Sequence, residues 1–168
     1  MSLKQEILEW DGKSIDDIKK IFEAFKAHAN FIDSITVLIL ERDSQNGATW
    51  LLKAWLESGN KLNQKQIDVI YNALKCLQHW VAKLHVLQCI PYLPIVKSER
   101  KSVELFLRIT LTDPNKFVRA WSYNGFYELA SQHSEYIDET KRFFEMAMVD
   151  EAASVKARIR NIMKKGFN

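Results

Sequence analysis

The sequence predicts an all-α protein in which about five antiparallel helix pairs stack into a right-handed α-α superhelix, or solenoid. Only 5 glycines and 3 prolines occur in 168 residues, too few for the frequent turns of a β-sandwich or β-barrel. Apolar residues recur at the three- and four-residue spacing of amphipathic helices along most of the chain. The pattern of residues 113–130 also returns 37 residues later, which indicates a repeated helical unit.

Four helices are predicted before residue 60. The first covers about residues 3–10, and Ser14 begins the second as an N-cap, since apolar residues then follow on one face. The third begins after Asn30. Its β-branched residues would also suit a buried strand, but its apolar spacing favours a buried helix. A turn at residues 44–47 then precedes the fourth helix, which ends near residue 58.

Three more helices are predicted between residues 63 and 112. Asn63 and Gln66 have the spacing of a capping box at the start of the fifth helix. The sixth covers about residues 80–90 and ends before Pro91. The seventh begins at Ser98, and its apolar positions are Val103, Phe106, Leu107 and Ile109.

The eighth helix has the best-defined start in the chain. Asp113 is predicted as its N-cap, because Pro114 then occupies the first helical position. Ser134 is predicted to cap a ninth helix, and a tenth covers about residues 152–165. Because short connections join these helices, sequential neighbours are expected to be antiparallel. One face of the eighth helix carries Val118, Ser122, Gly125 and Leu129.

The repeat is defined by equivalent residues in two units, predicted at 98–133 and 134–165. Asp113, Val118, Arg119, Ala120 and Asn124 correspond to Asp150, Val155, Lys156, Ala157 and Asn161. Degenerate repeats precede residue 97, where Lys83 takes the position of Arg119 and Leu77 replaces the aspartate. Such a period is typical of helical repeat proteins.

This pattern resembles that of HEAT-repeat proteins, which are armadillo-type helical repeats. In that family an Asp-containing turn joins two antiparallel helices, and Val-Arg follows at the start of the second helix. The length of the chain suits one domain over residues 1–168. The resemblance is best over residues 77–165 and implies a structural ladder between stacked repeats. The family's usual proline is replaced by Leu105 and Arg142. The residues that fit the motif are Asp113, Val118 and Arg119 in one repeat and Asp150, Val155 and Lys156 in the next.

Composition favours a soluble protein of the cytoplasm without a membrane span. The chain is 47% hydrophobic and 27% charged, as in globular proteins. Its longest apolar run, near residues 35–40, is far shorter than the roughly 18 residues of a membrane helix. Cys76 and Cys89 do not form a disulfide framework, which favours a reducing compartment.

Charge is distributed unevenly along the chain. Residues 1–60 contain 7 Lys and Arg against 10 Asp and Glu, whereas the remaining residues contain 17 against 11. The second part is therefore basic and is expected to attract an acidic partner.

No catalytic site, cofactor or metal is predicted. The chain lacks a Gly-rich phosphate loop, GxSxG and HExxH. Cys76, His79, His85 and Cys89 have the spacing of metal ligands, but their apolar neighbours favour packing over zinc binding.

An enzymatic alternative comes from a second resemblance, to the alkylpurine DNA glycosylases that are built from HEAT-like repeats. That resemblance lies in the general architecture and in residue type. It implies that aromatic, acidic and basic residues share a concave surface; the residues here would be Asp113, Arg119, Trp121 and Arg158.

Two sets of residues are candidates for binding. Tyr123 and Tyr127 lie away from the core positions of the eighth helix and are expected to form an exposed or concave patch near Arg119 and Asn124. Packing against the next helix pair is the alternative for these tyrosines. The second set is a basic row on the tenth helix, made of Lys156, Arg160 and Lys164 with Arg158 beside it.

The basic row suits phosphates or an acidic protein surface, or it is simply a solvated polar face that keeps a repeat array in solution. The sequence thus predicts a non-catalytic protein-interaction or scaffold module. A nucleic-acid-binding module that uses the basic C-terminal helix is the alternative. A homodimer that buries the tyrosine patch is a third reading.

Overall fold

The computed structural model describes residues 1–167, and the regular secondary structure within them is entirely helical. The predicted all-α class is therefore confirmed. In the described chain no helix combines the length and apolar character needed to cross a membrane. The ten α-helices of this part are α1 (Leu3–Glu9), α2 (Ile15–Phe25), α3 (Phe31–Leu38), α4 (Gln45–Glu57), α5 (Gln64–Ala73), α6 (Trp80–Cys89), α7 (Arg100–Thr110), α8 (Lys116–Gln132), α9 (Ile137–Asp150) and α10 (Ala153–Met163). Short 3-10 helices cover Leu74–Cys76, Ile90–Tyr92 and Ser134–Tyr136.

The chain divides into two compact units, Met1–Tyr92 and a second unit that begins at Leu93. The first unit contains α1 to α6 and the second contains α7 to α10. Each unit is described by itself below.

Two predicted helix starts of the first unit are confirmed. The hydroxyl of Ser14 accepts the backbone N–H of Asp17 at 3.2 Å, as an N-cap should. Asn63 and Gln66 form a complete capping box, with backbone to side-chain hydrogen bonds of 2.8 and 3.0 Å. The segment after Asn30 is a helix, so the strand alternative is wrong.

Helix α4 lies at the centre of the first unit and contacts α1, α2, α3 and α6. The turn predicted at residues 44–47 is wrong, because α4 already begins at Gln45 and Gly47 lies inside it. The reason is a close approach of α1: a Cβ atom on Gly47 would lie 2.7 Å from Cγ2 of Ile7. Glycine at this helical position is thus explained by packing.

Polar contacts join α4 to α6. Oγ1 of Thr49 and Nδ1 of His85 are 3.0 Å apart, and Asn46 lies 3.4 Å from the ring of His79. Burial lowers the pKa of His85 to about 4, and the nearby ammonium of Lys53 acts in the same direction. His85 is therefore held neutral inside the first unit.

We expect the first unit to lose stability as pH falls from about 6.5 to about 4. The unfolded chain takes up a proton at His85 near its ordinary pKa of 6.5, whereas the folded chain resists protonation down to about pH 4. The loss should reach about 2 to 3 kcal/mol by the lower end of this range. Urea unfolding monitored by Trp fluorescence at several pH values measures it.

The matched variant is His85→Gln, which cannot be protonated and should show a flat profile between pH 6.5 and 4.5. In the first unit, a backbone hydrogen bond from Ser14 lowers the pKa of Asp11, and a side-chain hydrogen bond from Lys20 lowers the pKa of Asp17. Their contribution to stability is therefore lost only as pH falls toward and below their ordinary pKa of 3.8, below most of the His85 window. An equal slope in both proteins would contradict the assignment to His85.

Helix α8 is the central element of the second unit, since it contacts α7, α9 and α10. Nine of its residues are buried, and they lie on several sides of the helix. Against α7, Gly125 permits contact with the fully buried Leu107: a Cβ atom on Gly125 would lie 2.3 Å from Cδ2 of that leucine. Against α9 and α10, one apolar cluster contains Ala120, Tyr123, Phe144, Ala147, Val155, Ile159 and Ile162.

Three predicted helix starts of the second unit are wrong by a few residues. The seventh helix begins at Arg100 with Glu99 as its N-cap, and not at Ser98. Asn115, not Asp113, is the N-cap of α8, and its side chain accepts the N–H groups of Phe117 and Val118. Asn is as good a cap as Asp, and Asn115 has the extended backbone that a cap requires. The carboxylate of Asp113 instead accepts the N–H of Asn115 at 2.8 Å. Ser134 begins a 3-10 helix, and α9 follows from Ile137.

We expect Gly125→Ala to destabilise the protein by about 1 to 3 kcal/mol, because the new methyl group would overlap the Leu107 side chain in a packed core. This penalty should exceed the gain of about 1 kcal/mol that alanine normally brings to a helix interior. Urea unfolding measures the change. Leu107→Ala should then lower the free energy of unfolding less in the Gly125→Ala protein than in the wild type. If Gly125→Ala made the protein more stable, α7 and α8 would be able to move apart without losing stability, and the prediction would be contradicted.

Candidate binding surface of the second unit

Helices α8 and α10 lie side by side and run in the same direction. The guanidinium carbon of Arg158, at the middle of α10, lies 4.0 Å from the ring centre of Trp121 in α8. Further along both segments, the hydroxyl of Tyr127 donates to the carbonyl oxygen of Gly166, just after α10, at 3.0 Å. The first pair is 37 residues apart in the chain, which equals the period of the sequence repeat. Equivalent positions of the two repeats therefore face each other at this contact.

Arg158 differs from the other partly buried arginines of the second unit. Arg100 pairs with Glu135, and Arg119 pairs with Glu151. Arg158 has no carboxylate partner among the described residues, and its observed contact is the ring of Trp121. Burial alone lowers the pKa of Arg158. Its guanidinium N–H groups therefore remain available to an incoming acceptor.

Arg119 joins the turn before α8 to the turn before α10. Its guanidinium donates to both carboxylate oxygens of Glu151, at 2.8 and 3.2 Å. It also donates to the backbone oxygens of Asp113 and Pro114 at 2.9 and 3.1 Å. Arg119 therefore connects α8 to the turn before α10. The acidic member of this contact is Glu151 rather than the predicted Asp150, which is exposed at the end of α9.

The predicted exposed tyrosine patch is wrong for Tyr123 and Asn124. Tyr123 is only 7% exposed and Asn124 only 5%, because α9 and α10 cover this side of α8. The ring of Tyr123 packs at 6.2 Å from that of Phe144, and burial raises the pKa of its hydroxyl. Tyr127 is half-buried, with its ring 5.2 Å from that of Phe167. The alternative of packing against the next helix pair therefore applies.

The basic row remains accessible. Arg160 and Lys164 are exposed and Lys156 is partly exposed, whereas Val155, Ile159 and Ile162 on the opposite side of α10 are buried. In the described part of the chain, none of the three cations has a carboxylate within ion-pair distance. Residues 152–168 contain five Lys and Arg residues and no acidic residue. Their positive charge is therefore not neutralised locally.

The cysteines and histidines considered for zinc have separate roles. Cys89 is fully buried, and burial raises the pKa of its thiol. Nδ1 of His79 accepts the N–H of Val81 at the start of α6, and His85 contacts Thr49. Across residues 1–167, no three His, Cys, Asp or Glu side chains are grouped so that they could hold a metal ion.

Sequence reasoning missed two features of this surface. It did not pair Trp121 with Arg158, although the 37-residue period already places them at equivalent positions in the two repeats. It also missed Glu151, because Asp150 next to it has the residue type expected from the motif. The period was thus a better guide to contacts than residue type.

A comparison of the chain with family models, with curated proteins and with solved structures finds no match.

We expect Arg119→Ala to destabilise the protein by about 1 to 2 kcal/mol. The Glu151 side chain is 15% exposed, so removing its cation leaves a partly desolvated carboxylate behind. Arg160→Ala, which removes an exposed and unpaired cation from α10, is the matched control and should change stability by less than about 0.5 kcal/mol. Urea unfolding of both variants measures the difference. Equal, small effects would mean that the Arg119 contact contributes nothing to folding.

Proposed function

We propose that this protein is a non-catalytic interaction or scaffold module of the cytoplasm, built from HEAT-like repeats in a right-handed solenoid. Trp121 of α8 contacts Arg158 of α10, and the two residues are separated by the 37 residues of the sequence repeat, which supports the repeat assignment. A similar contact in the first unit, Thr49 with His85, spans 36 residues. Free Cys76 and Cys89 suit a reducing compartment.

The unpaired basic row of α10, Lys156, Arg160 and Lys164, is the observation that carries this proposal. The arginines on α7 and α8 in the same unit pair with glutamates, whereas these three cations do not. An acidic surface of another protein is the first partner that this row suits, since complementary charge steers association. The helices already hold the row in place, so few groups need ordering on binding.

A nucleic acid is the second candidate, favoured by the contact of Arg158 with Trp121. An arginine with free donors binds phosphate oxygens, and arginine and aromatic side chains both stack on bases. The narrower proposal of a DNA glycosylase has less support, since Arg119 is already engaged by Glu151. Asp113 also has a local role in the turn before α8.

Titration with labelled single- and double-stranded DNA and RNA at low and physiological salt separates the two candidates. Under the first proposal the oligonucleotides bind weakly. Proteins captured on the immobilised chain are then released by salt and lost with Arg160→Glu plus Lys164→Glu. The matched control is Lys19→Glu plus Lys65→Glu, the same charge change at two exposed lysines of the first unit. It should retain the captured proteins.

Micromolar oligonucleotide binding that falls steeply with salt and is lost with Trp121→Ala or Arg158→Ala would support the second candidate instead. If neither oligonucleotides nor proteins bound in a way that depended on these residues, both proposals would fail.

A further inference from the structure

The outer side of α10 repeats the side of α8 that α10 itself covers. At the 37-residue period, Ala120, Tyr123 and Tyr127 of α8 correspond to Ala157, Arg160 and Lys164 of α10. In α8, Ala120 and Tyr123 are buried beneath the next helix pair, and Tyr127 packs at its edge. In α10 the equivalent residues are all exposed. The outer side of α10 is therefore placed where a further helix would pack.

The chemistry of this side has changed between the two helices. Two tyrosines of α8 are replaced by the cations Arg160 and Lys164, which lie one turn apart. An apolar helix packed there would desolvate both cations without compensating them, which is costly. A helix with carboxylates at the same one-turn spacing would pair with both and satisfy their N–H groups.

The contact between Arg119 and Glu151 shows how an acid engages the preceding repeat. Glu151 lies two residues before α10 and accepts two hydrogen bonds from Arg119 of α8. Lys156 is the equivalent of Arg119 in the next repeat and has no carboxylate partner in the described structure. An acid just before a docked helix would reach Lys156 in the corresponding way.

From these observations we propose that the outer side of α10 binds an acidic α-helix of a partner protein. This docking face consists of Ala153, Lys156, Ala157, Arg160 and Lys164. The exposed Ala157 at its centre and Ala153 at its start allow another helix to approach closely. The partner helix carries carboxylates opposite Arg160 and Lys164 and one before its first turn, opposite Lys156. The inference rests on the interaction-module function proposed above and identifies the partner.

Two other occupants fit the face less well. A second copy of the chain would bring Lys156, Arg160 and Lys164 against the same three cations, and like charges so juxtaposed oppose binding. A nucleic-acid strand would find cations for its phosphates, but the face has no aromatic side chain on which a base could stack.

The test uses two labelled helical peptides of about 20 residues with the same alanine-rich composition. One carries its glutamates at one-turn spacing on a single face, with one more before the first turn, and the other has them distributed around the helix. We expect the first peptide to bind the full chain at least about tenfold more tightly in fluorescence anisotropy at low salt. Equal affinities would overturn the proposal, because general charge attraction would then explain the binding.

Variants locate the peptide. Arg160→Glu plus Lys164→Glu should weaken binding of the one-face peptide at least about tenfold, whereas Lys19→Glu plus Lys65→Glu, with the same net charge, should leave it within about twofold. Ala157→Gln places a larger uncharged side chain at the centre of the face and should weaken binding of the one-face peptide about threefold or more. Ala157→Gln should not affect folding, because Ala157 is exposed. Unchanged affinity in either face variant overturns the proposed docking face.

Two further results separate this inference from the proposed function. If protein capture is lost with Arg160→Glu plus Lys164→Glu but the one-face peptide binds no more tightly than the peptide with distributed glutamates, the interaction module stands and the helix-docking inference fails. If a single-stranded oligonucleotide displaces the one-face peptide and binds the protein more tightly than the peptide does, the docking face binds a nucleic acid and the helix proposal is overturned.

Discussion

Helix α8 is covered on three sides by other helices, and the packing of the second unit follows from this. Because α8 contacts α7, α9 and α10, the side chains on each of its sides must have a size and shape that fit a different neighbouring helix. Gly125 meets this demand toward α7, where any larger side chain would overlap Leu107. Ala120 and Tyr123 meet it on the opposite side. The aromatic residues of α8 are therefore mostly packing residues, and the accessible chemistry of the unit lies elsewhere.

That chemistry consists of cations that the fold does not pair. Arg100, Arg108 and Arg119 of α7 and α8 find glutamates 31 to 35 residues later in the chain, so each depends on the segment that packs after it. The cations of α10 have no such segment in the described structure. Arg158 compensates partly by its contact with Trp121, whereas Lys156, Arg160 and Lys164 remain open to a partner. The pairing of an arginine with a later glutamate, which joins α8 to the segment before α10, is thus absent from α10 in the described structure.

The two units use similar means to join helices that are about 36 residues apart. In the first unit the contact is polar, between Thr49 and His85, and the imidazole is held neutral by its burial. In the second unit it is a cation on an aromatic ring, between Arg158 and Trp121. These contacts differ in chemistry but share their spacing. The spacing reflects the length of one helix pair with its connections, and it does not depend on particular residue types.

The helical class and the order of the helices could be read from the amino-acid sequence, because they follow from local spacing, capping residues and the scarcity of glycine and proline. The 37-residue period could be read from the recurrence of equivalent residues. The sequence also identified the basic row of α10, since an amphipathic helix separates core from polar positions by its geometry alone. Three features could not be read from the sequence and follow from how the helices pack: Tyr123 and Asn124 are buried, Glu151 rather than Asp150 pairs with Arg119, and Gly47 lies inside a helix. These outcomes depend on which neighbour covers a given side of a helix, and local sequence carries no information about that neighbour.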